Sequence, residues 1–172
     1  GNSSMFVDST GGGSDMSVSV VKEANAAVMG QAAKDLGFDS SSLDPLPGVM
    51  AFNVTIPDPK DYGQIVSLSW VLSESTSNPI YLKQDPKSGT YSHFSYDETT
   101  GEGARWDSST NVLTVYVRDN GQYDADPTPG VVRDPGTIAD STADETPPDA
   151  PLITSNISLT TDSAPSIEGT AE

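Results

Sequence analysis

Four aspartates, Asp119, Asp124, Asp126 and Asp134, fall within the stretch DNGQYDADPTPGVVRDPG at Asp119–Gly136, which holds one cation, Arg133. Carboxylates packed this densely repel one another unless they are solvated or tied to a cation. Calcium suits such a loop, because it takes about six to eight oxygens and tolerates irregular geometry. Asp119, Asp124, Asp126 and Asp134 offer carboxylates, and Gln122 or a backbone carbonyl can complete the shell. Gly121 and Gly130 let the backbone curl inward. The spacing is not that of an EF-hand, since the D-x-D-x-D-G start and the closing glutamate are missing. The same residues also suit an acidic turn-rich loop that simply stays wet.

Two further acidic groups are weaker calcium candidates. Asp97 and Glu98, with Glu102, lie in a TTG turn, where a solvated turn is the favoured reading. Asp140, Asp144, Glu145 and Asp149 lie in DSTADETPPDAP, where calcium would stiffen a joint between tandem domains. A charged, extended linker explains them as well.

Catalytic constellations find little material. His93 is the single histidine. It alternates within YSHFSY with no nucleophile elbow beside it, so a surface or structural role is the better reading. A carboxylate pair for glycoside hydrolysis would have to come from aspartates in turns, where calcium or backbone capping explains them more simply. Trp106, Tyr123 and Tyr62, on or beside loops, are the aromatic candidates for ligand binding, whereas Trp70 belongs to an apolar strand face.

Composition narrows the class. Aspartate and glutamate number 25 against 8 lysines and arginines, a net charge of −17. A nucleic-acid partner needs a basic face and an anionic membrane a basic patch, so neither is expected. Bound cations would relieve the self-repulsion of such a chain. There is no cysteine, so disulfides and thiolate chemistry are excluded. No apolar run approaches about 18 residues, and no helical membrane span is expected.

The elements that must position these residues read mainly as strands. Ser4–Val7 is a short strand, followed by a GGGS run, Gly11–Ser14, of the kind used as an engineered flexible joint. It would fill the place of a domain inserted between Asp8 and Asp15. Met16–Val21 reads as a strand and Lys22–Leu36 as one helix, with Val28, Ala32 and Leu36 on a face and Gly37 as its stop. Phe38–Gly48 reads as a loop. Val49–Ile56, Gln64–Leu72, Ile80–Gln84, Tyr91–Tyr96 and Asn111–Arg118 read as strands joined by Gly/Pro/Asp turns, one of them spanning Asp97–Ser109. The fold class expected is all-β, an antiparallel β-sandwich with one short α-helix. The chain divides into a first strand and glycine linker over 1–14, a calcium-binding sandwich over 15–139, an acidic Pro-rich linker over 140–151, and 152–172. That last part is either the start of an immunoglobulin-like repeat or the final strands of the sandwich.

With these residues in place, the segment Gly48–Gly136 resembles the choice-of-anchor U module of large calcium-dependent, RTX-type bacterial adhesins. The matching residues are Tyr81, the turn Asp85-Pro86, Phe94, Asp97-x-x-Thr100-Gly101, Asp119-x-Gly121-x-x-Asp124-x-Asp126, and Gly130-Val131-Val132-x-Asp134-Pro135-Gly136. Pro127-Thr128-Pro129 departs from the polar residues usual there. Leu152–Glu172 is similar to the opening of a bacterial immunoglobulin-like adhesin repeat. The resemblances imply a secreted, cell-surface, calcium-stabilised extender domain that positions a neighbouring ligand-binding domain. They imply no catalysis and a monomer whose partners are adjacent domains. A calcium-dependent lectin-like module binding cell-surface glycan is the alternative, and a glycoside hydrolase stands behind both.

Overall fold

The computed structural model describes residues 4–9, 17–23, 26–39, 41–46, 49–142, 152–153 and 169–170, with side chains over 27–39, 41–46 and 52–142. Strands dominate because valine, isoleucine and aromatics alternate with polar residues at period two. In Ile65–Val71 (β5), Val66, Leu68 and Trp70 point inward and are nearly fully buried. In Val112–Arg118 (β9), Leu113, Val115 and Val117 do the same.

Two antiparallel sheets result. The first has the order β1-β5-β9-β8, where β1 is Ser4–Ser9 and β8 is Gly103–Asp107. The second has the order β2-β4-β10-β6-β7, and β3 also pairs with β10. Its strands are β2 Ser17–Glu23, β3 Leu43–Pro45, β4 Val49–Thr55, β6 Pro79–Gln84, β7 Tyr91–His93 and β10 Val131–Ser141. The all-β sandwich with one short helix is therefore the fold of this chain.

The core lies in two layers. Between the sheets sit Phe52, Val54, Leu68, Trp70, Tyr81, Leu113, Val115, Val117 and Val132. Burying one such side chain stabilises the fold by about 1.5–3 kcal/mol. On the outer face of the second sheet, α1 (Ala26–Leu36) covers a smaller core of Met29, Ala32, Ala33, Leu43, Ile80, Leu82, Tyr91 and Ala139. Gly37 stops this helix with φ +74, a conformation that glycine adopts without steric cost.

Several elements differ from the sequence reading. The helix begins at Ala26, because Lys22 and Glu23 complete β2 against Ala51 and Val49. Leu43–Pro45, read as loop, is β3 and pairs with Ala139–Ser141. Gly103–Asp107, read as turn, is the edge strand β8. The acidic stretch is a loop only as far as Gly130. From Val131 it becomes β10, the strand that holds the second sheet together. Leu152–Ile153 (β11) and Gly169–Thr170 (β12) pair with each other in a separate two-stranded sheet.

Candidate functional site

Strand registers gather one end of the sandwich. Thr55, at the end of β4, pairs with Val131, and Ile65, at the start of β5, pairs with Arg118. The connections 56–64 and 119–130 both pass from one sheet to the other, and both do so at this end. Ser9, which ends β1, pairs with Val66, and Ser17, which opens β2, pairs with Thr55. Both breaks flanking the glycine run therefore also stand at the acidic end, one on each sheet.

The loop aspartates fasten this end together. Asp119, only 2% exposed, accepts the Gly130 amide at 2.9 and 3.0 Å and the Gly63 amide at 2.8 Å. Its own amide donates to the Gln64 carbonyl at 2.9 Å, and Ile56 N donates to Gly130 O at 2.8 Å. One carboxylate thus clasps both inter-sheet connections. Asp124 accepts the amides of Asn120 at 2.8 Å and of Asp126 and Arg133 at 2.9 Å each. Burial pushes its carboxyl up, and those three amides pull it down. Asp126 accepts the Thr128 amide at 2.9 Å, which lowers its carboxyl. Gly130, at φ +85, lies under the Tyr62 ring, and a Cβ there would collide with that ring.

Asp134 stands apart from this loop. It is fully buried on the inner face of β10, and its Oδ1 is 2.7 Å from Lys83 Nζ on β6. Gln122, Tyr123 and Asp124 line a cleft of ≈ 230 Å³ together with Lys83, Asp85 and Phe94. Tyr123 meets Phe94 edge-on, with ring centroids 4.9 Å apart. Tyr62 is 38% exposed. Trp106 lies on β8 opposite Leu113, half-buried against the inner core and toward the other end of the sandwich. Asp97 caps its own turn by accepting the Thr99 amide at 2.8 Å. Asp144, Glu145 and Asp149 lie outside the described residues.

The acidic loop thus brings Asp119, Gln122, Tyr123, Asp124 and Asp126 to one end, beside Tyr62, and leaves Trp106 elsewhere. Among the described residues, no three or more carboxylates or histidines converge on one cation-sized point. A calcium ion at this end would compete for carboxylate oxygens with backbone amides at Asp119, Asp124 and Asp126, and with an ammonium at Asp134.

Sequence reading missed Lys83, 7% exposed, and its pairing with Asp134. The signal was a charge at an inward position of an apolar strand, Pro79–Gln84, matched by another in VVRDPG. Compared with known proteins, the chain matches no family model, no curated protein and no solved structure.

Proposed function

We propose that this chain is a structural module of a secreted bacterial surface adhesin, a stiff β-sandwich mount that carries a ligand-binding domain and is stabilised by calcium at its acidic end. One observation carries the reading. The breaks after Ser9 and before Ser17 open at the same end as the Asp119–Gly130 clasp. A domain inserted between them would emerge where both inter-sheet connections are fastened, so forces on it would pass directly into both sheets. The module's partners are then neighbouring domains of its own chain, and it carries out no reaction on a substrate.

Calcium supplies charge neutralisation to a chain of net charge −17. Because metal would bind only the folded state, it raises the melting temperature. The measurement is a thermal melt in EDTA against millimolar calcium, with sodium chloride added to equal ionic strength. An unchanged midpoint rejects the calcium component. D126A should lose most of the calcium-dependent gain. The mount itself is tested by inserting a small folded reporter domain between Thr10 and Asp15. Both domains should melt at their separate temperatures, and loss of the sandwich transition would reject the mount.

The cleft beside Tyr123 favours a second reading, a calcium-dependent glycan-binding module. It places Phe94 and Tyr123 next to Gln122, Asp85 and Asp124, an apolar wall with polar groups at its rim. Calcium-dependent retention on a glycan array, abolished by Y123A, would establish it.

A further inference from the structure

We propose that Lys83 and Asp134 join through their side chains in an intramolecular amide bond that locks β6 to β10. The two groups are neighbours by construction of the sheet. Lys83 pairs with Gly136 across the strands, and Asp134 lies two residues from Gly136 on the same inward face. The Lys83 Nζ is 2.7 Å from Asp134 Oδ1, and the two side chains are 9% and 0% exposed. Cγ, the atom to be attacked, lies one bond beyond that oxygen. Phe52 sits directly across from Asp134 on β4. Phe94 presents its ring 5.0 Å from the ammonium. Gly136 leaves room for the Tyr81 ring, since a Cβ there would strike it, and the Tyr81 hydroxyl adjoins the Asp134 carboxyl.

As an ion pair this arrangement is expensive. Burial costs each charge several kcal/mol, and attraction repays the cost only when the remaining lone pairs and protons are also satisfied. Here the pair has little beyond itself and the Tyr81 hydroxyl: among the described residues no further partner meets the Asp134 oxygens, and no second acceptor meets Lys83 Nζ. Burial pushes the Asp134 carboxyl up, while Lys83 pulls it down. Moving one proton from Nζ to the carboxylate removes both charges and yields a neutral amine beside a carboxylic acid. The pair then meets the requirements of amide formation, a free nucleophile held against an un-ionised acyl group in a site shielded from water.

The step balances without a cofactor. The Nζ lone pair attacks Cγ, and the Tyr81 hydroxyl, which adjoins the carboxyl, is placed to donate to the oxygen that gains charge. The Cγ–OH bond breaks, and the hydroxyl leaves with one nitrogen proton as water. A secondary amide remains. Lys83 lines the ≈ 230 Å³ cleft, which gives the released water a way out.

The experiment is intact-mass spectrometry of the folded, purified chain, followed by proteolysis and sequencing of cross-linked fragments. The expected mass is one water below that of the sequence, with a branched peptide joining the Lys83 segment to the Asp134 segment. Under reducing, denaturing electrophoresis the linked chain should run faster than K83R, whose guanidinium keeps the charge but is not a nucleophile at neutral pH. K83R and D134A should both show the full sequence mass. Full sequence mass in the unaltered chain, folded by circular dichroism and incubated for days, overturns the proposal. So does a water loss that yields no branched peptide, which would mark a cyclised aspartate elsewhere. The unaltered chain decides the matter even where a variant fails to fold.

Discussion

At the scale of residues, aspartate is used here mainly to hold backbone amides. Asp119 is the most committed, because the Gly63 and Gly130 amides it accepts are brought from two different connections. D119A strands the buried Gly130 amide and releases the part-buried Gly63 amide, and should destabilise the fold by about 2 kcal/mol. Urea unfolding measures this, and a loss below about 1 kcal/mol would show that water replaces the carboxylate. Exposed turn aspartates act more weakly in the same manner. Asp85 accepts the Lys87 and Ser88 amides, and Asp107 the Ser109 hydroxyl and amide. These bonds lower both carboxyls below the ordinary 3.8. Their contribution to stability is complete above pH 3.8 and is lost as pH falls through the lower, folded values. Asp134 has the opposite sign if it remains unlinked. Its raised carboxyl binds a proton more tightly when folded, so its share of stability grows on acidification. D85N/D107N should therefore flatten the acid limb of the stability curve. An acid limb identical to that of the unaltered chain would refute the turn assignment.

At the scale of elements, β1 is an edge strand whose sheet partner among the described residues is β5 alone. It is separated from β2 by the glycine run and makes its pairing with β5, from Ser4↔Val71 to Ser9↔Val66. Without β1, β5 becomes an edge, and its row of unpaired backbone groups invites another chain. A chain that begins at Ser17 should melt lower and self-associate in size-exclusion chromatography. A peptide covering Ser4–Ser9 added in excess should restore the monomer. A truncated chain that stays monomeric, with an unchanged melt, would show that β1 is dispensable. On the other sheet, α1 serves as a lid for the outer face, where Ala32 and Ala33 let the helix approach closely and Met29 fills the remaining gap.

At the scale of the whole molecule, net charge opposes folding. A charge of −17 on a chain of this size repels itself across a short Debye length. Raising sodium chloride from about 10 mM to about 150 mM shortens that length from about 30 Å to about 8 Å, so the melting temperature should rise. Calcium at equal ionic strength should raise it further. A melt insensitive to sodium chloride would mean that the charges are already spread too widely to matter. Diffuse screening would act everywhere, whereas the proposed calcium ligation would act only at the acidic end.

The sequence alone determined the class of fold and most of its strands. Strict alternation in FNVTI and in VSLSW admits one face toward a core and one toward solvent, whatever the neighbours are, and VLTVYV, apolar on both faces, reads as an inner strand. It also determined that the acidic stretch would be the unusual place in the chain. It did not determine where that stretch stops being a loop. Pro135 and Gly136 argue locally for a turn, but the fold overrides them. Pro135 falls where β10 finishes with β4, and from Gly136 the pairing passes to β6. Gly136 is needed because the Tyr81 ring lies over it. The roles of the acids were likewise decided by tertiary structure. Asp119 and Asp134 are 15 positions apart in one acidic run, yet one clasps two backbone amides and the other faces a lysine in the core. Each role requires a partner that is distant in sequence, Gly63 for Asp119 and Lys83 for Asp134. Local spacing carries no information about such partners, because only the pairing of strands sets which of them meet.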